Sequence, residues 1–520
     1  MSAPVMSSDA LSPSEFAGFG ESAPLDVPGL DSAHAAVWAR GRFSSRAWDA
    51  WSQAAASVGH CSRPVRLHGS SVTVDRRTGE VLSSFRSTDA PLGVLLRRCG
   101  NRRDHVCPSC SRLYARDTFE MIRAGVQGGK QVPQTVADNP LVFLTVTAPS
   151  FGLVHGTRHG GACRPRRRDD RTRCPHGRAT WCQGRHNTGD AEVGSPLCPD
   201  CYDYASHVIW QWWAPELWRR LTIEVRRRLA DQLGVRESRL GTVASLQYAK
   251  VAEYQARGLI HFHALVRLDG PKTDGIGAPA SPLVDGRDLA ALLAAAVAKV
   301  SYTPPLLDQA DTPRVLRLGQ QVDTRAVRIG ARTDDPAGPV TPGQVAGYLT
   351  KYATKGATAA ASVDRRSTTP HLARVRCTCV VLADRSRAAD RDGSPDPYAL
   401  LGRWSHMLGF RGHFSTKSRA YSITLGALRR ARARWQAIAA DSRRSGHPID
   451  TAELEARLLA ADDAESTLVV GSWAYAGTGW EDSTEAALAT ATAARAREYD
   501  QWRAQHHKTR RNALEVKEIR

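Results

Sequence analysis

At 520 residues, of which 42% are hydrophobic, the chain is long enough for two to four domains at a prior of about 150 residues each. No apolar run approaches the roughly 18 to 20 residues that a membrane span needs. Residues 1–35 lack a basic-then-apolar secretory pattern, so the expectation is a soluble cytoplasmic protein with no membrane partner. The net charge of +19 comes almost wholly from arginine, since only nine lysines occur, and a basic excess of that size suits a polyanion such as nucleic acid.

Residues 1–35 read as a disordered leader. A cysteine-bearing N-terminal region follows over 36–135 and ends in a helix at 111–125. The run L-V-F-L-T-V-T-A at 141–148 opens a second domain, expected over 136–365. A Gly-, Arg- and Cys-rich insert at 155–202 carries neither helix nor strand period. An amphipathic helix is expected at 204–233, broken near Pro215, then strands at 244–255 and 259–268 joined by a turn at Ala256-Arg257-Gly258. An Ala-rich helix at 287–301 and a strand at 322–329 precede a helix that starts after Thr341-Pro342, with threonine as cap and proline in the first turn. The C-terminal region, 366–508, begins with a β segment at 373–382 that places Cys377 and Cys379 on one strand face. Helices follow around 397–407, 425–440, 451–461 and 484–507, then a flexible tail at 509–520.

Two constellations carry chemistry. In Glu253-x7-His261-Phe262-His263, residues two apart on a strand share a face, and the turn through Gly258 brings Glu253 beside both imidazoles. Two imidazoles and a carboxylate make a divalent-metal half-site that leaves room for a phosphate oxygen. The second constellation is Y-L-T-K-Y-A-T-K at 348–355. Tyr348, Lys351, Tyr352 and Lys355 fall within roughly a 100° arc of one helix face. A phenol has a pKa of about 10 and needs help to attack phosphate. Neighbouring lysines can lower that pKa and hold the scissile phosphate.

Eleven cysteines, most of them in two clusters, read as zinc sites in a reducing compartment. Cys107-x2-Cys110 is a tight half-site that Cys61 and Cys99 could complete. The second cluster gives Cys174, Cys182, Cys198 and Cys201, with Cys163, His176 and His186 as alternatives for the same site. Arg411, His413, Lys417 and Arg419, interleaved with Phe410 and Phe414, suit single-stranded DNA through phosphate contacts and base stacking. No G-x4-G-K-[ST] loop occurs, so unwinding is assigned to a host helicase.

Taken together, these motifs resemble the HUH endonucleases of the rolling-circle initiator type. The strand F-L-T-V-T at 143–147 matches their first motif. His261-Phe262-His263, with Glu253 eight residues and Gly258 three residues upstream of its first histidine, matches the second, and the doubled Y-x-x-K matches the third. The stretches C-G-N-R-R-x3-C-P-S-C (99–110), L-C-P-D-C-Y-D-Y (197–204), 249–263 and 403–419 are similar to replication initiators of actinomycete plasmids and integrative conjugative elements. The resemblance spans roughly residues 60 to 435. It implies an α+β fold with a ferredoxin-like antiparallel sheet, the histidines on a central strand, Mg2+ or Mn2+ as cofactor, and a 5′-phosphotyrosine intermediate. It ranks Tyr352 over Tyr348 as first nucleophile. Its implied partners are double-strand origin DNA, single-stranded DNA, a host helicase, a single-strand-binding protein and a DNA polymerase. A transposase with paired tyrosines would use the same chemistry, and a non-catalytic zinc-containing regulator is the reading from another class. Motif order disfavours a conjugative relaxase, because here the tyrosines follow the histidines.

Overall fold

The structure, a computed structural model, describes residues 45–157, 161–166, 173–327, 347, 349, 369–389, 392–460, 467–481 and 483–518. In chain order the regular elements begin with helix α1 (Ser45–Ser57), strands β1 (Val65–Asp75), β2 (Val81–Arg86) and β3 (Leu95–Arg97), helix α2 (Pro108–Gln127) and strand β4 (Leu141–Val146). Helix α3 (Tyr204–Gln232), the strand pair β5 (Ser245–Tyr254) and β6 (Ile260–Asp269), helix α4 (Gly286–Lys299) and the short strands β7 (Ser301–Tyr302), β8 (Leu316–Arg317) and β9 (Val322–Ala326) follow. After them come helix α5 (Pro370–Ala388), strand β10 (Ser415–Lys417), helices α6 (Leu425–Ser445) and α7 (Leu454–Leu459), strand β11 (Thr467–Thr478) and helix α8 (Ser483–Glu518). None of the helices is long and apolar enough to cross a membrane among the described residues.

The chain divides into two compact units, residues 1–116 with 426–520, and residues 117–425. The first is discontinuous, which differs from a linear succession of N-terminal, nuclease and C-terminal regions. Its sheet explains why: β11 pairs antiparallel with β1 from Val65↔Thr478 to Asp75↔Thr467, and β2 and β3 also pair with β1. Trp51, Ala55, Val58, Cys61, Cys107, Trp480 and Ala489 form its small core. The Trp480 indole N–H donates to the Cys61 carbonyl at 2.9 Å.

The second unit is built on a five-stranded sheet ordered β10-β5-β6-β4-β9, antiparallel at every pairing. Strict alternation along β6 gives the sheet two different faces. Phe262, Ala264, Val266 and Leu268 pack with Trp210, Leu217, Trp218 and Leu221 of α3 and Leu289 and Leu293 of α4. Each buried Val, Leu or Phe among them contributes about 1.5–3 kcal/mol of burial. The opposite face carries Leu265, with Val251 of β5 and Leu141 of β4. It is covered by Met121 and Ile122 of α2, Tyr421, and Leu349, which is helical and fully buried.

Two local expectations are corrected. Residues 373–382 are not a strand but lie inside α5, where Thr369 caps the helix and Pro370 occupies its first turn. Leu372, Val375, Cys379, Leu382 and Ala383 then make one buried helical stripe, while Cys377 is exposed on another side, so the two cysteines share no face. Helix α3 runs through Pro215 without a break. An internal proline costs about 3 kcal/mol, and here Trp212, Ala214, Leu217 and Trp218 around it are all buried in the main core, which offsets that cost.

Candidate functional site

The β5–β6 hairpin turns at Gly258, whose φ of +81° suits glycine, with Gly258 N–H donating to the Gln255 carbonyl at 2.9 Å. The register that this turn sets places Glu253 directly opposite His261 and Val251 opposite His263. His261 Nε2 lies 3.0 Å and His263 Nε2 3.6 Å from the same oxygen, Oε2 of Glu253, and the imidazole centroids are 4.4 Å apart. Three donor atoms therefore converge as the sequence expected. On the next strand Thr145 pairs with His263, and its Oγ1 sits 3.0 Å from Nδ1, which directs Nε2 toward the carboxylate. The Phe143 ring stacks on the same imidazole. Burial holds the pKa of His263 below the ordinary histidine value although Glu253 pulls it up. A neutral imidazole and an ionised carboxylate are the forms in which these side chains can ligate a divalent cation. Glu253 and His263 are buried and His261 is half-buried, so the group opens on the His261 side.

The cysteines form three groups, where the sequence suggested two. Cys61, Cys99, Cys107 and Cys110 come together as expected, with Sγ atoms of Cys107 and Cys110 at 3.7 and 3.6 Å from that of Cys61. A tetrahedral ion with bonds of about 2.3 Å to sulfur and about 2.05 Å to nitrogen implies ligand separations of about 3.8 Å between sulfurs, 3.6 Å for mixed pairs and 3.3 Å between nitrogens. The four-thiolate group fits that frame. Cys174, Cys198 and Cys201 also converge, but their fourth member is His176, whose Nδ1 is 3.2 Å from Cys201 Sγ and 3.8 Å from Cys198 Sγ. Cys182 is corrected out of that set. It joins Cys163, His186 and His155, the last of which the sequence reading missed as a ligand. Short C-x2-C spacing identifies pairs, but only the folded chain shows which pairs meet.

The family described as "Replication initiator protein, pSAM2" matches residues 47–494. A replication initiator protein of Streptomyces ambofaciens is 38% identical over 448 residues, covering 82% of this chain and 86% of the relative. The chain belongs to the pSAM2 replication initiator family. No solved structure matches it.

In this initiator-family chain the second constellation, Tyr348, Lys351, Tyr352 and Lys355, lies outside the described residues. Of the expected DNA-contact residues, Arg411 is exposed, and its guanidinium sits 4.4 and 4.7 Å from the Trp212 and Trp213 ring centroids. Lys417 Nζ donates to the carbonyls of Ser418, Arg419 and Ser422, and burial lowers its pKa to about 8. His413 and Arg419 are exposed. Phe410 is fully buried beside Phe262, which removes it as a base-stacking platform. Asp323 was also missed. It pairs with Thr145 across β4 and β9, and its charge acts on His263.

Proposed function

We propose that this member of the plasmid replication initiator family binds double-strand origin DNA, nicks one strand and rejoins it as an HUH endonuclease in rolling-circle replication. The observation that carries the reading is the convergence of Glu253 of β5 with His261 and His263 of β6, the central strand of the antiparallel sheet. That sheet would be the ferredoxin-like core of the nuclease domain. Leu349, which lies between Tyr348 and Tyr352 in sequence, supports the reading. It is helical and buried with Val251 and Leu265, on the sheet face that carries the histidines.

Glu253, His261 and His263 would hold Mg2+ or Mn2+, which when bound supplies positive charge at the non-bridging oxygens of the scissile phosphate. Thr145 and Phe143 keep His263 in its ligating orientation. Tyr352 Oη, its proton lost, attacks phosphorus. The bond to the 3′-oxygen breaks, that oxygen takes up a proton, and the protein retains the 5′-phosphate. Lys351 and Lys355 lower the phenol pKa and neutralise the phosphate. The free 3′-OH primes leading-strand synthesis by host polymerase, with a host helicase and single-strand-binding protein as partners. Tyr348 supplies the second nucleophile for termination. Arg411, His413, Lys417 and Arg419 belong to the single-strand contact region. Zinc at Cys61, Cys99, Cys107 and Cys110, and at Cys174, His176, Cys198 and Cys201, is structural.

Incubation of the purified chain with supercoiled plasmid carrying the origin, followed by sequencing of the cut strand, tests this. A single site-specific nick that needs a divalent cation is expected. Plasmid left wholly supercoiled would overturn the reading.

A further inference from the structure

The insert between β4 and α3 carries the third cysteine-containing group. Among the described residues between β4 and α3 there is no helix or strand, only isolated bridges such as Arg164↔Cys182 and Arg173↔Ala179. A segment without a core needs another source of cohesion. His155 Nδ1 lies 3.2 Å from His186 Nε2 and 3.8 Å from Cys163 Sγ, and Cys182 Sγ lies 3.5 Å from His186 Nε2. These separations match the edges of a tetrahedron around one ion, about 3.3 Å between nitrogens and 3.6 Å for mixed pairs. The backbone supports the same point, since Gly156 N–H donates to Cys163 Sγ at 3.2 Å.

The ligand pairs alternate. His155 and Cys163 come first, then Cys174 and His176, then Cys182 and His186, then Cys198 and Cys201. The first and third pairs make one group, the second and fourth the other. We propose that the insert is a cross-braced module binding two zinc ions, the additional one held by His155, Cys163, Cys182 and His186, and that this module clamps the turn of the β5–β6 hairpin. In such a topology each ion closes a loop that contains ligands of the other, so neither site is complete unless both loops are in place.

The clamp is a backbone contact. Gly194 has φ +89°, and a Cβ there would fall 2.3 Å from the Ala256 carbonyl carbon and 2.5 Å from Arg257 N. Gly194 N–H donates to the His155 carbonyl and His155 N–H to the Ser195 carbonyl, both at 2.8 Å. The residue that touches the hairpin is thus paired with a zinc ligand. From its other sides the turn is held by Arg257, which donates to the Ala148 and Pro149 carbonyls at 2.9 and 2.8 Å, and by His371 Nε2, 3.0 Å from the Arg257 carbonyl. The zinc assignment stands apart from the nicking reading, because it concerns metal content and hairpin order only.

The test uses the full chain, grown with zinc and purified without chelator. Elemental analysis should give three zinc ions per chain, one for each cysteine-containing group. Two ions, with the count unchanged in Cys163→Ser, would overturn the additional site. Should Cys163→Ser not fold, thiol alkylation of the wild-type chain decides. Cys182, which is only half-buried, should be protected while zinc is bound and labelled once a chelator is added. Labelling independent of chelator counts against it. For the clamp, Gly194→Ala should keep all three ions yet raise amide exchange at residues 255–259 at least tenfold. Unchanged exchange there would overturn the clamp.

Discussion

Lys250 provides a test of the packing that supports the site. It lies on β5 facing α3, on the side of the sheet opposite the histidines. Its Nζ sits 4.4 Å from the Phe262 ring centroid and 5.1 Å from that of Trp218. Burial lowers its pKa from 10.5 to about 7. Between those two values the unfolded chain binds the proton and the folded chain does not, so stability rises with pH across that window. Below about pH 7 the folded protein carries the full cost of a buried ammonium. A gap of about 3.5 between the pKa values, at about 1.36 kcal/mol each, caps that cost at about 5 kcal/mol. Attraction of the ammonium to the two rings works against that cost and keeps the figure a ceiling. Lys250→Met, which fills similar space without charge, should therefore be more stable than wild type by up to about 5 kcal/mol at pH 6. The advantage should shrink steadily toward pH 10. Urea unfolding of both proteins at pH 6, 8 and 10 measures it. A difference that does not vary with pH, or a less stable variant at pH 6, would refute the reasoning.

The remaining predictions concern the sheet, the half-site and the first zinc group. Arg267 makes a fully buried fork with Asp269, Nε to Oδ1 at 2.6 Å and Nη2 to Oδ2 at 2.8 Å. Arg267→Met should cost about 3–5 kcal/mol in urea unfolding by leaving the buried Asp269 charge without this counter-ion, although Asn139 Nδ2 and Gly277 N–H still donate to it, and Arg267→Met with Asp269→Asn, which removes the charge and keeps an acceptor, should recover part of it. No recovery in the double variant would show that the loss is not electrostatic. His261→Ala and His263→Ala should each abolish plasmid nicking while a mobility-shift assay retains most double-strand binding, because phosphate contacts elsewhere set affinity. Equal nicking by both variants in chelator would sink the metal assignment. Cys107→Ser should lose one zinc ion by elemental analysis and lower soluble yield, since the Cys61–Cys107–Cys110 sulfurs sit in the core of the first unit; an unchanged zinc count would remove that site.

The hairpin and its half-site were legible in the sequence because period-two alternation, a glycine turn and the spacing from Glu253 to His261 all act locally. The α5 error has a local cause too. V-R-C-T-C-V-V-L is rich in β-branched residues and reads as a strand, whereas the Thr369-Pro370 start and burial of Leu372, Val375, Cys379 and Leu382 decide for helix. What stayed hidden is non-local. β1 and β11 are about 400 residues apart and neither shows a clean buried-exposed alternation, so nothing in either announces its partner. The candidate zinc ligands show the same limit. Spacing found Cys198-x2-Cys201, but His176 displaced Cys182 through a contact that only the folded insert makes.

The central claim is tested most directly by mapping a covalent adduct. The full chain is incubated with a single-stranded origin oligonucleotide and Mg2+, digested, and the DNA-linked peptide sequenced by mass spectrometry. The account predicts a 5′-phosphate ester on Tyr352, lost in Tyr352→Phe and retained in Tyr348→Phe, which should nick but close circles poorly. An adduct on Tyr348 alone would reverse the order of the two nucleophiles. Cleaved DNA with no adduct on either tyrosine would contradict the mechanism.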